Sequence, residues 1–190
     1  MAETPEPSHS SGSDDVLAAL GLASSNFARL EGILCTIFTN VFDLNGTSGP
    51  IIFSRMGNEA VQDVLSRFLP SYNRSDRARD DLAYFIQCFA RCLANRNELA
   101  HSVVSQRIDS STRAILYRNT KKGHAIMSIP TLSELRMVAD ETNKIYEYGK
   151  ALNNAVVSET SQVFSLSPFS WPDRPALPHR LRYSSEPWNH

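Results

Sequence analysis

Residues 75–105 read SDRARDDLAYFIQCFARCLANRNELAHSVVS, and the spacing inside this stretch decides the fold. Leu82, Phe85, Ile86, Phe89, Leu93 and Ala100 recur at steps that place them on one face of a helix with about 3.6 residues per turn. A strand, whose side chains alternate between two faces, cannot use that pattern. Ser75 can accept a hydrogen bond from an open amide of the first turn, and Asp76 and Asp80 bring negative charge to the positive end of the helix dipole. The stretch predicts one long helix whose C-terminal end carries Arg96, Asn97 and His101.

The same periodicity directs the Arg96 guanidinium toward the apolar side, where a charge needs a partner. Glu31, on an earlier helix, is either a surface acid or that partner. Asn97 and His101 lie one helical turn apart and can touch. Arg96 and His101 are roughly 140° apart around the axis and about 7.5 Å apart along it. One helix would hold the two cationic groups apart, whereas a shared phosphate or a second copy of the helix across a two-fold axis would join them.

The string Arg96-Asn97-Glu98-Leu99-Ala100-His101 resembles the Arg-polar-x3-His signature of HEPN domains, the higher eukaryote and prokaryote nucleotide-binding helical fold. The likeness extends over about Asn26 to Val157. It implies a bundle in which the motif ends a long helix, and a homodimer whose two motifs face one cleft. It further implies either a metal-independent endoribonuclease or a member that has lost activity and serves as an RNA-binding or protein-interaction module. In the active case His101 is general base or acid, Arg96 the phosphate clamp, and Asn97 the group that orients His101 or phosphate; no cofactor or metal is required. A toxin–antitoxin or defence-like setting would add a neutralising or regulatory protein partner. The alternative is a noncatalytic module in which the same polar residues fix helix ends or a dimer interface.

Composition bounds these readings. A chain of 190 residues with 42% hydrophobic side chains fits one domain with a substantial core. A formal charge of −1 gives no global electrostatic case for binding a phosphate backbone, so any RNA site must be local. The sequence shows neither a signal-peptide pattern nor the roughly 20 apolar residues needed to span a bilayer, and cytoplasmic residence is expected. Cys35, Cys88 and Cys92 read as reduced core thiols rather than a disulfide framework or a zinc site.

The remaining segments fill out an all-α, four-helix bundle with a small β-hairpin insertion and an irregular C-terminal tail. Residues 1–13 form a flexible arm, and 14–157 a single helical domain. Within it, Val16 to Leu20 is a short segment ending near Gly21, and a first long helix runs from Ser24 or Ser25 to Phe42. Asn45 to Pro50 is a loop, and a second helix covers about Asn58 to Phe68 with Val61, Val64, Leu65 and Phe68 inward. A hairpin is expected over 113–127. Arg107, Arg113, Tyr117, Arg118, Lys121 and Lys122 make this region the candidate RNA-contacting edge. Thr131 and Glu134 stand at capping-box spacing before a last helix reaching Val157. The tail, 158–190, holds both tryptophans and is expected to be irregular and not needed for the bundle to fold, part of it lying across the bundle or a partner subunit, with Arg174, Arg180 and Arg182 as added surface charge.

Overall fold

The computed structural model describes residues 14–100, 103–106, 114–119, 125–128, 130–161 and 170–181; the arm expected over 1–13 lies outside them. The helical part consists of α1 (Asp14–Val41), α2 (Ser48–Arg55), α3 (Asn58–Phe68), α4 (Asp76–Ala100) and α5 (Leu132–Ser161). Between α4 and α5 come β1 (Val103–Gln106), β2 (Ala114–Asn119) and β3 (Ala125–Ser128).

The expected four-helix bundle with a hairpin insertion is therefore corrected in both its parts. Among the described residues the bundle has five α-helices. The extra one, α2, lies where a loop was expected because Pro50 falls in its first turn, where the missing amide has no intrahelical partner to lose. Asn45 Oδ1 prepares that turn by accepting from the amides of Thr47 and Ser48 at 3.0 and 2.7 Å. The inserted element is a three-stranded antiparallel sheet of order β1-β2-β3, not a two-stranded hairpin. Its first strand was read as the end of the long helix. Val103, Val104 and Ser105 follow Ala100, and the branched pair favours extended backbone once the apolar periodicity stops.

The helix boundaries show what overrides local signals. α1 runs unbroken through Gly21 and Ser24 because Val16, Ala19, Ala23, Phe27, Leu30 and Leu34 form one buried stripe along it. Burial of that stripe outweighs roughly 1 kcal/mol for an interior glycine. α3 has the expected bounds, but Val64 faces outward while Val61 and Leu65 are buried. α4 begins as read, with the Ala78 amide donating to Ser75 Oγ at 3.2 Å. α5 begins in a capping box: Thr131 N donates to Glu134 Oε2 at 2.7 Å and Glu134 N to Thr131 Oγ1 at 3.2 Å.

α1 and α5 form the most extensive helix pair and run parallel. Asn26 Nδ2 donates to the Ala139 carbonyl at 2.9 Å, Arg29 Nη1 to Asn143 Oδ1 at 3.1 Å, and Asn40 Nδ2 to Asn153 Oδ1 at 2.8 Å. α4 runs against both: Phe89 meets Phe27, and Leu99 packs near the starts of α1 and α5 beside Val16, Ala19 and Leu135. Gly149 is required in α5, since a Cβ there would overlap the Phe85 ring and Ile33. This topology puts the C-terminal end of α4 between the N-terminal ends of α1 and α5.

Where it is described, the tail is irregular and lies across the bundle of its own chain. Residues 170–181 have no regular secondary structure, yet Trp171 and Leu177 pack against the main core and Leu181 is buried. Arg174 meets Asp81, Tyr84 Oη donates to the Pro175 carbonyl, and Asn95 holds the backbone of His179 and Leu181. The strap thus runs alongside α4 in the same direction. Its reach of about 23 Å over seven extended residues matches the rise of about 21 Å between Asp81 and Asn95. Pro172, Pro175 and Pro178 recur every third residue, which keeps this segment extended and lowers the entropy lost on docking.

Candidate nucleic-acid interface

Asn97 begins the last turn of α4, and Arg96 stands just before it. Arg96 is exposed, and its guanidinium donates to Asn97 Oδ1 at 3.1 Å while lying over the Phe27 ring with its carbon 5.7 Å from the centroid. The periodicity was right about direction but not about burial. The side chain reaches back over the apolar face of α1 and keeps its charge in water, so no buried counter-ion is needed. Glu31 is not that counter-ion; its carboxylate accepts from Asn58 Nδ2 at 2.5 Å and ties α1 to α3. Among the described residues no carboxylate pairs with Arg96.

His101 lies outside the described residues, immediately beyond the Ala100 that ends α4. The helical angle expected between Arg96 and His101 therefore falls partly outside the described residues. Arg107, Arg113, Lys121 and Lys122 also lie outside the described residues. Tyr117 and Arg118 are in β2, opposite Met127 and Ile126 of β3. Tyr117 also pairs with Val103. Since Val103 is two residues past His101, backbone register alone brings the Tyr117 backbone to the chain just after the motif.

The N-terminal ends of α1 and α5 lie at this end of the bundle and carry the positive ends of their dipoles. Asp14 and Asp15 in α1 and Glu134 in α5 offset that field. Among the described residues the last turn of α4 carries no basic side chain; Arg96 stands just before it.

Two polar positions that mattered were not singled out from the sequence. Asp81 is fully buried and is held on both oxygens, by Arg77 Nε from within α4 at 2.6 Å and by Arg174 Nε from the strap. Arg174 is therefore committed to Asp81 rather than available as surface charge, and the carboxylate beside it raises its pKa further. Asn95 is buried next to Arg96 in sequence, and its amide is occupied by the strap. The available signals were the i, i+4 pair Arg77/Asp81 and the three-residue proline spacing; neither names its partner across 93 residues of chain.

Cys88 and Cys92 are buried. Desolvation pushes Cys88 up to about 11 and Cys92 up to about 12, making both thiols poor nucleophiles and poor ligands near neutral pH. Among the described residues no cluster of three histidine, cysteine or acidic side chains could hold a metal ion, and no helix is long and apolar enough to cross a membrane.

Comparison with known proteins gives no match to a family model, a curated protein or a solved structure. The likeness to HEPN domains rests on the Arg96–His101 string.

Proposed function

We propose that this chain binds RNA and cleaves it without a metal, using Arg96, Asn97 and His101 at the end of α4. The observation that carries the reading is the state of Arg96. It is a permanently charged, exposed side chain with no carboxylate partner among the described residues, buttressed by Asn97 and Phe27 beside the start of His101's segment. Such a group can offer paired donors to a phosphate, and its stacked carbons limit the entropy lost on binding.

Cleavage then needs a proton taken from a ribose 2′-hydroxyl, charge stabilisation at the pentavalent phosphorus, and a proton delivered to the leaving 5′-oxygen. His101 exchanges protons near neutral pH, Arg96 stabilises the phosphorane, and Asn97 orients one of them. The products are a 2′,3′-cyclic phosphate and a 5′-hydroxyl. A homodimer supplies a second His101 for the complementary transfer. The cytoplasm is the compartment we propose for it.

A second reading, a noncatalytic helical interaction module, is favoured by Ile51 and Ile52 of α2, which are 58% and 41% exposed. Incubation with mixed-sequence RNA in EDTA, with identification of both new ends, separates the two. Cyclic-phosphate ends that disappear in Arg96→Ala and His101→Ala support the nuclease. Cleavage indifferent to both substitutions in folded protein rejects it.

A further inference from the structure

The carboxamide of Asn95 accepts from the Leu181 amide at 3.0 Å and donates to the His179 carbonyl at 2.8 Å, with the residue only 2% exposed. One side chain thereby supplies the donor and acceptor that a neighbouring strand would. Between the two pinned residues sits Arg180, which is exposed. Leu181 fixes the register, buried with Ala23, Val138 and Ala139 and packed near Leu99 of the motif string.

The other basic side chains on this part of the strap, Arg174 and His179, already have acidic partners. Arg174 meets Asp81, and His179 Nδ1 lies 2.5 Å from Glu141 Oε1. Arg180 has no carboxylate partner among the described residues. Asn95 is the chain neighbour of Arg96 and, through its amide, holds the backbone on both sides of Arg180. Holding the backbone on either side of Arg180 removes entropy that an arginine on a free tail would lose on binding. In a chain of net charge −1, a phosphate-binding face has to be assembled from cations brought together locally.

We propose that Arg180 is a second RNA-phosphate contact beside Arg96, and that Asn95 is the residue that positions it. The inference rests on the RNA reading above and extends its site onto the strap.

The test is equilibrium binding of a fluorescent single-stranded 2′-O-methyl RNA, which cannot be cleaved through its 2′-oxygen, across a range of salt concentrations. Arg180→Ala should weaken binding about 3- to 10-fold at low salt and make the slope of log K against log salt shallower by about 0.7. Arg180→Lys should restore the slope. Asn95→Ala should lose as much as Arg180→Ala, and the double variant no more than Asn95→Ala alone. Arg180 is exposed, so its two substitutions decide the matter even if Asn95→Ala loosens the strap. Binding by the wild type with an unchanged affinity or slope in Arg180→Ala overturns this inference and leaves the Arg96 site standing. A wild-type protein that fails to bind overturns both.

Discussion

α4 carries a charged cluster near each end, and the two are built on opposite principles. Near the start, Asp81 is fully buried and both its oxygens are occupied by Arg77 and Arg174. Near the other end, Arg96 is exposed and, among the described residues, meets an amide oxygen and an aromatic face. A buried carboxylate loses hydration, which charge-assisted hydrogen bonds must replace; that arrangement secures the strap but leaves nothing for a ligand. An exposed guanidinium retains its hydration and its donors. The first cluster is suited to architecture and the second to binding.

The sharpest way to separate the ends is by activity. Arg96→Ala and His101→Ala should each lower metal-independent RNA cleavage by roughly 10²-fold or more, with helicity and melting temperature unchanged. Asn97→Ala should give a smaller loss. Circular dichroism alongside end-labelled RNA assays checks this, and a matching loss of fold would make the motif structural.

The buried end should respond in the other currency. Asp81→Ala should destabilise the protein by about 3 kcal/mol in urea unfolding, at the lower end for a broken buried ion pair because Arg77 and Arg174 can turn their charges back to water. Cleavage per folded molecule should survive. Arg174→Ala should cost less, about 1–2 kcal/mol, since Arg77 remains and Arg174 is itself 38% exposed.

Cys88 reports on the strap between the two ends. It is fully buried, and burial pushes its thiol up to about 11, so iodoacetamide at pH 8 should leave it unmodified in the native wild type. Loosening the strap by Arg174→Ala should speed its alkylation about tenfold, the equivalent of roughly 1.4 kcal/mol in local opening. The sign of the linked pH effect follows from the raised values. Unfolded thiols ionise near 9.0 and the folded Cys88 and Cys92 near 11 and 12, so their contribution to stability is intact below pH 9 and is lost as pH rises through that window. Melting curves between pH 8 and 11 should show the decline.

The smallest effect belongs to the exposed edge of the strap. Glu141→Gln weakens the contact with His179, whose side chain is 70% exposed, and should change stability by about 0.5 kcal/mol or less. A loss as large as that for Asp81→Ala would erase the distinction between a buried latch and a solvated contact.

Periodic residues made much of the bundle legible. Phe85 and Phe89 identified α4, Val61 and Leu65 identified α3, and the Thr131/Glu134 box marked the start of α5. Each depends on neighbours within a few turns. The end of α4 was harder to read because RNELAH is good helix sequence and Val103-Val104 is good strand sequence; their competition is settled by β1 pairing with β2 more than ten residues later. α2 was hidden by Pro50, whose effect reverses between a helix interior and its first turn.

By itself the sequence determined the amphipathic faces, the capping residues and the chemical capacity of Arg96, Asn97 and His101, because these follow from side-chain type and local spacing. Tertiary structure decided that Arg96 would be open while Asp81 is enclosed, that Arg174 would neutralise a carboxylate, and that Asn95 would receive the strap. Those outcomes depend on hydration lost or kept when segments 84 to 93 residues apart meet, and local spacing carries no record of which segments will meet.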